Sequence, residues 1–151
     1  MKKISPEELA KYVIKVHSRP EEWEFITNLK LQKILYYIQW FHLAFFDEPF
    51  FDEDIYARQY WPVVKSVYNN YKDKWSSGIT ELYEDDDFTK LISTDQQNLV
   101  SSVWDNYWQY SAFKLVEMTH DEFPWKNAIK DWIDSIITKE SLKTFFKTQL
   151  D

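Results

Sequence analysis

The longest apolar segment of the chain runs from Thr27 to Phe46. Between Ile34 and Phe46, only Gln39 and His42 are strongly polar. A helix at a protein surface shows one apolar stripe, whereas this segment is apolar on nearly all sides, which is typical of a helix buried from several directions. We therefore expect the segment to form a central buried helix.

The sequence also predicts both ends of this helix and indicates that the helix belongs to a protein core rather than to a membrane. Thr27 can accept a backbone N–H bond as the N-terminal cap, and Pro49 cannot continue a helix. A membrane span needs about 20 predominantly apolar residues, but here Lys30 and Lys33 interrupt the segment. The start of the chain turns acidic at once and does not resemble a signal peptide, so we expect a cytoplasmic protein.

Shorter helices are predicted on both sides of the central helix, most of them beginning at a capping residue or a proline. They are a helix to about Val16 after the capping box Ser5–Glu8, a helix from Pro62 to about 75, a helix from the capping box Thr94–Gln97 to about Tyr110, a short helix capped by Ser111, a helix over Trp125–Asp131, and a last helix capped by Thr138 with Leu142, Phe145 and Phe146 facing inward.

Two short β-compatible runs are expected to pair. Ile55–Tyr60 and residues 133–137 are rich in β-branched and aromatic residues. A further short strand is predicted at Ile79–Tyr83, inside an acidic stretch expected to be the most mobile part of the chain. The predicted fold is mainly α: a single helical domain over 1–151 around the helix at 27–46, with a small β element near 55–61 and 133–137.

Composition excludes several classes of chemistry. The chain contains no Cys, so disulfides, thiolate zinc sites and cysteine nucleophiles are excluded. A single glycine, Gly78, excludes the glycine-rich loops that hold phosphates. With a net charge of −7, nucleic acid is not an expected partner, and a basic protein partner is favoured.

The histidines do not predict a metal site. His17, His42 and His120 lack the spacing that brings two imidazoles onto one metal ion, so no metal or other cofactor is expected. His120 precedes Asp121 and Glu122, but adjacent residues point in different directions, so this run is interpreted as a structural turn. A metal-independent hydrolase or transferase that uses His120 remains an open alternative.

A partner-binding surface is predicted from aromatic and acidic residues. Trp and Tyr are enriched where proteins bind one another, and the acidic runs 52–54 and 84–87 are expected to be solvated loops or docking patches for a basic partner. The candidate contact residues are Tyr60, Trp61, Tyr68, Tyr71, Asp85, Asp86 and Asp87.

Three blocks of the sequence resemble the Panacea domain, also known as the phage-associated or GepA-like family. They cover roughly residues 7 to 146 in the family's order. The blocks are Asn28–Tyr37 with Gln39, Trp40, His42 and Leu43; Pro49–Phe51 with Ile55, Ala57, Tyr60–Val63, Val67 and Tyr68; and Ser111 with Leu115, Thr119, His120, Pro124, Trp125 and Ala128.

The resemblance also identifies signature positions and one departure. The family usually has glycine where this chain has Trp61, which leaves the local turn and any interface there open. The signature residues are expected to support the fold rather than chemistry; they are Asn28, Lys30, Lys33, Tyr36, His42, Pro62, His120, Pro124 and Trp125.

The resemblance implies a non-enzymatic antitoxin of a two-gene, type II toxin–antitoxin module of the kind carried by prophages. Its partner would be a cognate protein toxin, for which alarmone-synthetase-like enzymes that modify tRNA are one family precedent. An alternative within the family is an adaptor that delivers a toxin or other client to a AAA+ protease. Neither a nucleic acid nor a membrane is an expected partner.

Overall fold

The computed structural model describes residues 3–18, 25–58, 61–74, 77–81, 83, 90–111, 114–115, 117–118, 121–131 and 134–150. Its described part is mainly helical with a small antiparallel sheet, as the sequence predicts. The helices are α1 Pro6–His17, α2 Asn28–Phe46, α3 Lys65–Asn70, α4 Thr94–Tyr107, α5 Phe123–Asp131 and α6 Lys139–Leu150; the strands are β1 Ile55–Ala57, β2 Pro62–Val63 and β3 Ser135–Ile137.

The central helix α2 is buried as its pattern predicts. Every residue of α2 from Leu31 to Trp40 is buried, because α4 and α6 pack extensively against it and α1, α3 and β2 add further contacts. Thr27 caps its start by accepting a hydrogen bond from the Lys30 N–H at 3.2 Å. Its end comes at Asp47, which adopts a left-handed conformation with φ 58° and donates its N–H to the Leu43 carbonyl oxygen.

Three other predicted caps are present. The Ser5 hydroxyl accepts from the Glu8 N–H at 3.1 Å, Ser111 accepts from Lys114 at 3.1 Å, and Thr138 accepts from Ser141 at 3.1 Å. Leu142 is buried and Phe145 packs against the core; the side chain of Phe146 lies outside the described part.

The predicted pairing of the two β-compatible runs is confirmed. The sheet has the order β2-β1-β3, and both pairs are antiparallel. In the β1–β3 pair, Ile55 lies opposite Ile137 and Ala57 opposite Ser135. Residues 60 and 133, at the ends of the predicted runs, lie outside the described part. Described residues 79–81 and 83 form no strand, contrary to the prediction for Ile79–Tyr83.

The prediction that Pro62 begins a helix is wrong. Pro62 and Val63 form the edge strand β2, and the helix begins at Lys65. Proline has a fixed φ that suits both a first helical turn and an edge strand, and it lacks the N–H that an interior strand would need. Local sequence therefore does not distinguish the two states, whereas pairing with Ala57 does.

The capping box of α4 lies one residue earlier than predicted. Ser93, not Thr94, is the N-cap: its hydroxyl accepts from the Gln96 N–H at 3.2 Å, and the Gln96 carboxamide accepts from the Ser93 N–H at 2.9 Å. Both serine and threonine can cap, and Gln96 and Gln97 both fit the third helical position. The sequence Ser-Thr-Asp-Gln-Gln thus satisfies the motif in two registers, and the core selects one.

Polar residues of α2 hold the main chain of the segments around it. Gln39 donates to the Phe51 carbonyl oxygen at 2.8 Å and accepts from the Phe50 N–H at 2.7 Å. Gln32 accepts from the Val64 N–H at 2.8 Å, and Asn28 donates to the Tyr68 carbonyl oxygen at 3.1 Å. Buried amides need such partners because an unsatisfied polar group in the core is costly. Here they fix the path of the loop after α2 and of the chain from β2 into α3.

None of the described helices has both the length and the hydropathy that crossing a bilayer requires.

Candidate functional site

The signature lysines lie on the N-terminal half of α2, under aromatic rings. Lys30 is half-buried; its ammonium group donates to the Trp108 carbonyl oxygen and lies 3.8 Å from the centroid of the Trp108 ring. Burial lowers the pKa of Lys30 to about 8. The contact combines a hydrogen bond with a cation–π interaction and ties α2 to the end of α4.

Lys33 is more deeply enclosed. Its side chain is 0% exposed, its Nζ atom lies 5.7 Å from the centroid of the Trp61 ring, and this nitrogen has no hydrogen-bond partner among the described residues. Burial lowers the pKa of Lys33 well below the usual value, while the Glu122 carboxylate opposes the shift. A ligand could reach this amine only if Trp61 or another covering group moved.

Glu122 faces the same region from the turn before α5. The Tyr37 hydroxyl donates to its carboxyl oxygen at 2.8 Å. Burial raises the pKa of Glu122 to about 8, although the Tyr37 hydrogen bond and Lys33 act in the opposite direction. The sequence predicts Glu122 only as part of a turn, because nothing local shows that its carboxyl group packs against a buried tyrosine.

Tyr36 completes this polar cluster. It is fully buried, and its hydroxyl group has no hydrogen-bond partner among the described residues. Burial and the nearby Glu122 carboxylate raise the pKa of Tyr36. Tyr36 and Lys33 are three residues apart on one helix, so they share a face of α2. Lys33, Tyr36 and Tyr37 therefore lie inside the fold, and the half-buried Glu122 closes the cluster from the side of α5.

His42 has a structural position at the other end of α2. Its Nδ1 atom lies 2.5 Å from the Glu48 carbonyl oxygen, and its Nε2 atom lies 3.1 Å from the Gln96 carboxamide nitrogen. The carbonyl can only accept, so Nδ1 carries the proton and Nε2 accepts from Gln96. Burial lowers the pKa of His42. The neutral ring therefore bridges α2, the loop after it and the start of α4.

The described signature residues of the third block are also built into the fold. Pro124 and Trp125 are buried in the first turn of α5, and the Trp125 indole N–H donates to the Arg58 carbonyl oxygen at 3.0 Å. This bond fastens α5 to the end of β1. His120 lies outside the described part.

The predicted partner-binding residues differ in their exposure. Trp61 and Tyr68 are half-buried, and the Arg58 guanidinium lies 5.7 Å from the centre of the Tyr68 ring. Tyr71 is only 4% exposed, and its hydroxyl lies 2.7 Å from that of Tyr83. Tyr60 and Asp85–Asp87 lie outside the described part.

A groove between α2 and α4 is absent from the sequence-based predictions. We call it the α2–α4 groove. It has a volume of about 490 Å³ and is lined by Phe41, Phe45, Phe46, Asp95, Asn98, Leu99, Ser102, Val103 and Asn106. Phe45 is 57% exposed. The all-round apolar pattern of α2 indicates a large apolar surface, but it does not show which part of that surface neighbouring elements leave uncovered.

Within the described residues, no group of three or more histidine, aspartate or glutamate side chains is arranged to hold a metal ion.

The comparison with known families gives one match. A family model described as "Antitoxin SocA-like, Panacea domain" matches residues 31–126, which is well over half of the chain. The matched region begins inside α2 and ends in α5. No curated protein and no solved structure matches the chain.

Proposed function

Because the chain belongs to the antitoxin SocA-like Panacea domain family, we propose that it is an antitoxin that neutralises a cognate toxin by direct protein–protein binding. The family match over residues 31–126 is the observation that carries the proposal. The burial of the signature residues supports it, since Lys33, Tyr36 and His42 lie in the interior, where they pack within the fold and do not face a substrate. A non-enzymatic role in the cytoplasm follows from the same proposal.

The proposed mechanism is occlusion of the toxin's substrate or nucleotide site in a stoichiometric complex. The net charge of −7 favours a basic partner and faster encounter with it. Trp61 and Tyr68 are half-buried and offer aromatic contact area, and Asp85–Asp87 are proposed as an acidic rim. A tRNA-modifying, alarmone-synthetase-like enzyme from a prophage-type module is the toxin class that the resemblance favours.

Co-expression with the protein encoded beside this chain tests the proposal. We expect the chain to restore growth that the neighbouring gene product arrests, and the two proteins to co-purify in equal amounts. The proposal fails if growth stays arrested although the antitoxin accumulates in folded form.

The choice of host separates occlusion from delivery to a AAA+ protease. Occlusion predicts that protection survives in a host that lacks the protease, whereas an adaptor would lose its effect there. His120→Ala tests the enzymatic alternative: protection that disappears while the protein stays folded and still binds the toxin would favour catalysis over occlusion.

A further inference from the structure

The α2–α4 groove has the form of a docking site. We infer that it receives an amphipathic helix of the toxin whose apolar face is flanked by lysine or arginine side chains. This inference rests on the proposed function and adds to it a location on the antitoxin and the chemistry of the toxin segment.

The floor of the groove is apolar and open to solvent. Phe41 and Phe45 lie one turn apart on α2, with parallel-displaced rings whose centroids are 6.3 Å apart, and Leu99 and Val103 face them from α4. Phe45 is 57% exposed and is one of two large apolar side chains that are exposed in the described part. A contiguous apolar surface bordered by polar residues is typical of a site where another protein binds.

The rim of the groove carries one carboxylate, Asp95, three neutral polar side chains and no basic side chain. Asp95, Asn98, Ser102 and Asn106 follow one side of α4 at helical spacing and line the groove. The Asn106 amide nitrogen donates to the Ser102 carbonyl oxygen at 2.8 Å, which leaves its side-chain oxygen as an acceptor toward solvent. The α4 sequence contains two aspartates and no lysine or arginine. Cationic donors are therefore the complementary groups for this rim.

The shape of the groove suits a helix. The two walls run antiparallel, because His42 meets Gln96 at one end while the Tyr37 ring stacks on Tyr107 toward the other, with centroids 4.0 Å apart. A third helix laid between them would insert side chains at i, i+3, i+4 and i+7, the usual pattern of helix-in-groove recognition. A volume of about 490 Å³ accommodates such anchoring side chains.

Charge argues against a second copy of this chain as the occupant. Each copy carries a net charge of −7, so two copies repel each other overall, and the groove adds Asp95 and no basic side chain to offset that repulsion. Like charges brought together across an interface are costly, and a basic segment removes that cost. This favours the toxin, the proposed basic partner.

Binding of the neighbouring gene product to full-length antitoxin variants, measured by isothermal titration calorimetry, tests the inference. Phe45→Asp places a charge on the apolar floor, and Ser102→Arg places a cation on the rim. We expect each to weaken binding at least about tenfold, the loss typical of an interface centre. The matched control is Ile136→Asp, which alters the other exposed apolar side chain, 45% exposed on β3, and should change the affinity less than about twofold.

The outcomes separate this inference from the proposed function. If wild type binds and both groove variants bind equally well, the groove is not the docking site, while the antitoxin function stands. If wild type does not bind, the proposed function fails and the inference falls with it. Conversion of a dimer of the antitoxin alone into monomers by Phe45→Asp, seen by sedimentation, would assign the groove to a second copy. Phe45→Ala replaces Phe45→Asp if the charged variant does not fold.

Discussion

Glu122 illustrates how a single residue can couple stability to pH. Its ordinary pKa of 4.5 is raised to about 8 by burial. Between these values the folded protein holds a proton that the unfolded chain has released, so raising the pH favours unfolding. The contribution of Glu122 to stability is therefore present below pH 4.5 and declines as the pH rises to about 8.

We predict that Glu122→Gln removes this decline, because the amide oxygen can still accept from Tyr37 but cannot ionise. Chemical denaturation at pH 5, 6, 7 and 8 should give a difference between variant and wild type that grows with pH, by at most about 1.4 kcal/mol per unit. Glu117→Gln, at an exposed glutamate, is the control and should track wild type. A constant difference across this range would show that the Glu122 carboxyl group titrates normally.

Gly78 is required for close packing rather than for an unusual φ. A Cβ atom at this position would overlap the Cβ and Cγ atoms of Phe25, next to the hydrogen bond of 2.8 Å from the Ile79 N–H to the Ile26 carbonyl oxygen. We predict that Gly78→Ala lowers the free energy of unfolding by about 1–3 kcal/mol. Urea denaturation measures this, with the exposed Ser77→Ala expected within about 0.5 kcal/mol of wild type.

At the scale of elements, one carboxylate fastens the last helix to the central one. Asp47, just after α2, accepts Lys147 at 2.8 Å and Lys143 at 3.0 Å, and these lysines lower its pKa to about 2. Beside this contact, Phe145 of α6 stacks on Trp40 of α2 with ring centroids 5.5 Å apart. The aromatic contact buries apolar surface, while the exposed ion pairs add a weaker link between the end of α2 and α6.

We predict that Asp47→Asn lowers Tm slightly, because asparagine keeps the left-handed cap but loses both ion pairs. The folded pKa is depressed, so this stabilisation is present at neutral pH and is lost as the pH falls from about 4 to about 2. The gap in Tm between variant and wild type should accordingly close over that range and in about 0.5 M NaCl. Asp105→Asn removes an exposed charge from α4 and serves as the control. An equal loss of Tm there would show that the effect does not come from the ion pairs of Asp47 with Lys143 and Lys147.

Sequence predicts elements best where one local rule applies without competition. The burial of α2 follows from its all-round apolar pattern, and Ser5, Thr27 and Thr138 cap where hydroxyl residues precede apolar faces. Pro62 is compatible with two structures, and Ser93 and Thr94 with two capping registers. In those cases contacts from distant parts of the chain select the outcome, so the local sequence alone does not predict it.

The site is less predictable than the fold for a related reason. The signature lysines are visible in the sequence. Glu122 and Tyr37, however, are 85 positions apart in the chain, and their contact depends on how α5 approaches α2. The α2–α4 groove depends on the spacing of two helices and on what leaves Phe45 uncovered. Such features arise from tertiary packing, which the spacing of apolar residues along the chain does not predict.

At the scale of the whole molecule, the net charge of −7 should govern the rate of encounter with the toxin, if the toxin is the basic protein proposed above. We predict that the association rate constant, measured by stopped-flow fluorescence, falls steeply between 50 mM and 500 mM NaCl, while the dissociation rate constant changes little. Rates that do not depend on salt would mean that the interface, not the overall field, limits association.

The hydrogen bonds from Gln32, Gln39 and Asn28 to main-chain atoms have a consequence for how the surface can vary. Main-chain groups are the same whatever residue carries them, so these hydrogen bonds do not depend on the side chains of the segments that they hold. The outer segments can therefore exchange side chains that face solvent and still follow the same path. Substitutions on the outer segments can therefore change the surface chemistry of the molecule while the interior and the backbone path stay the same.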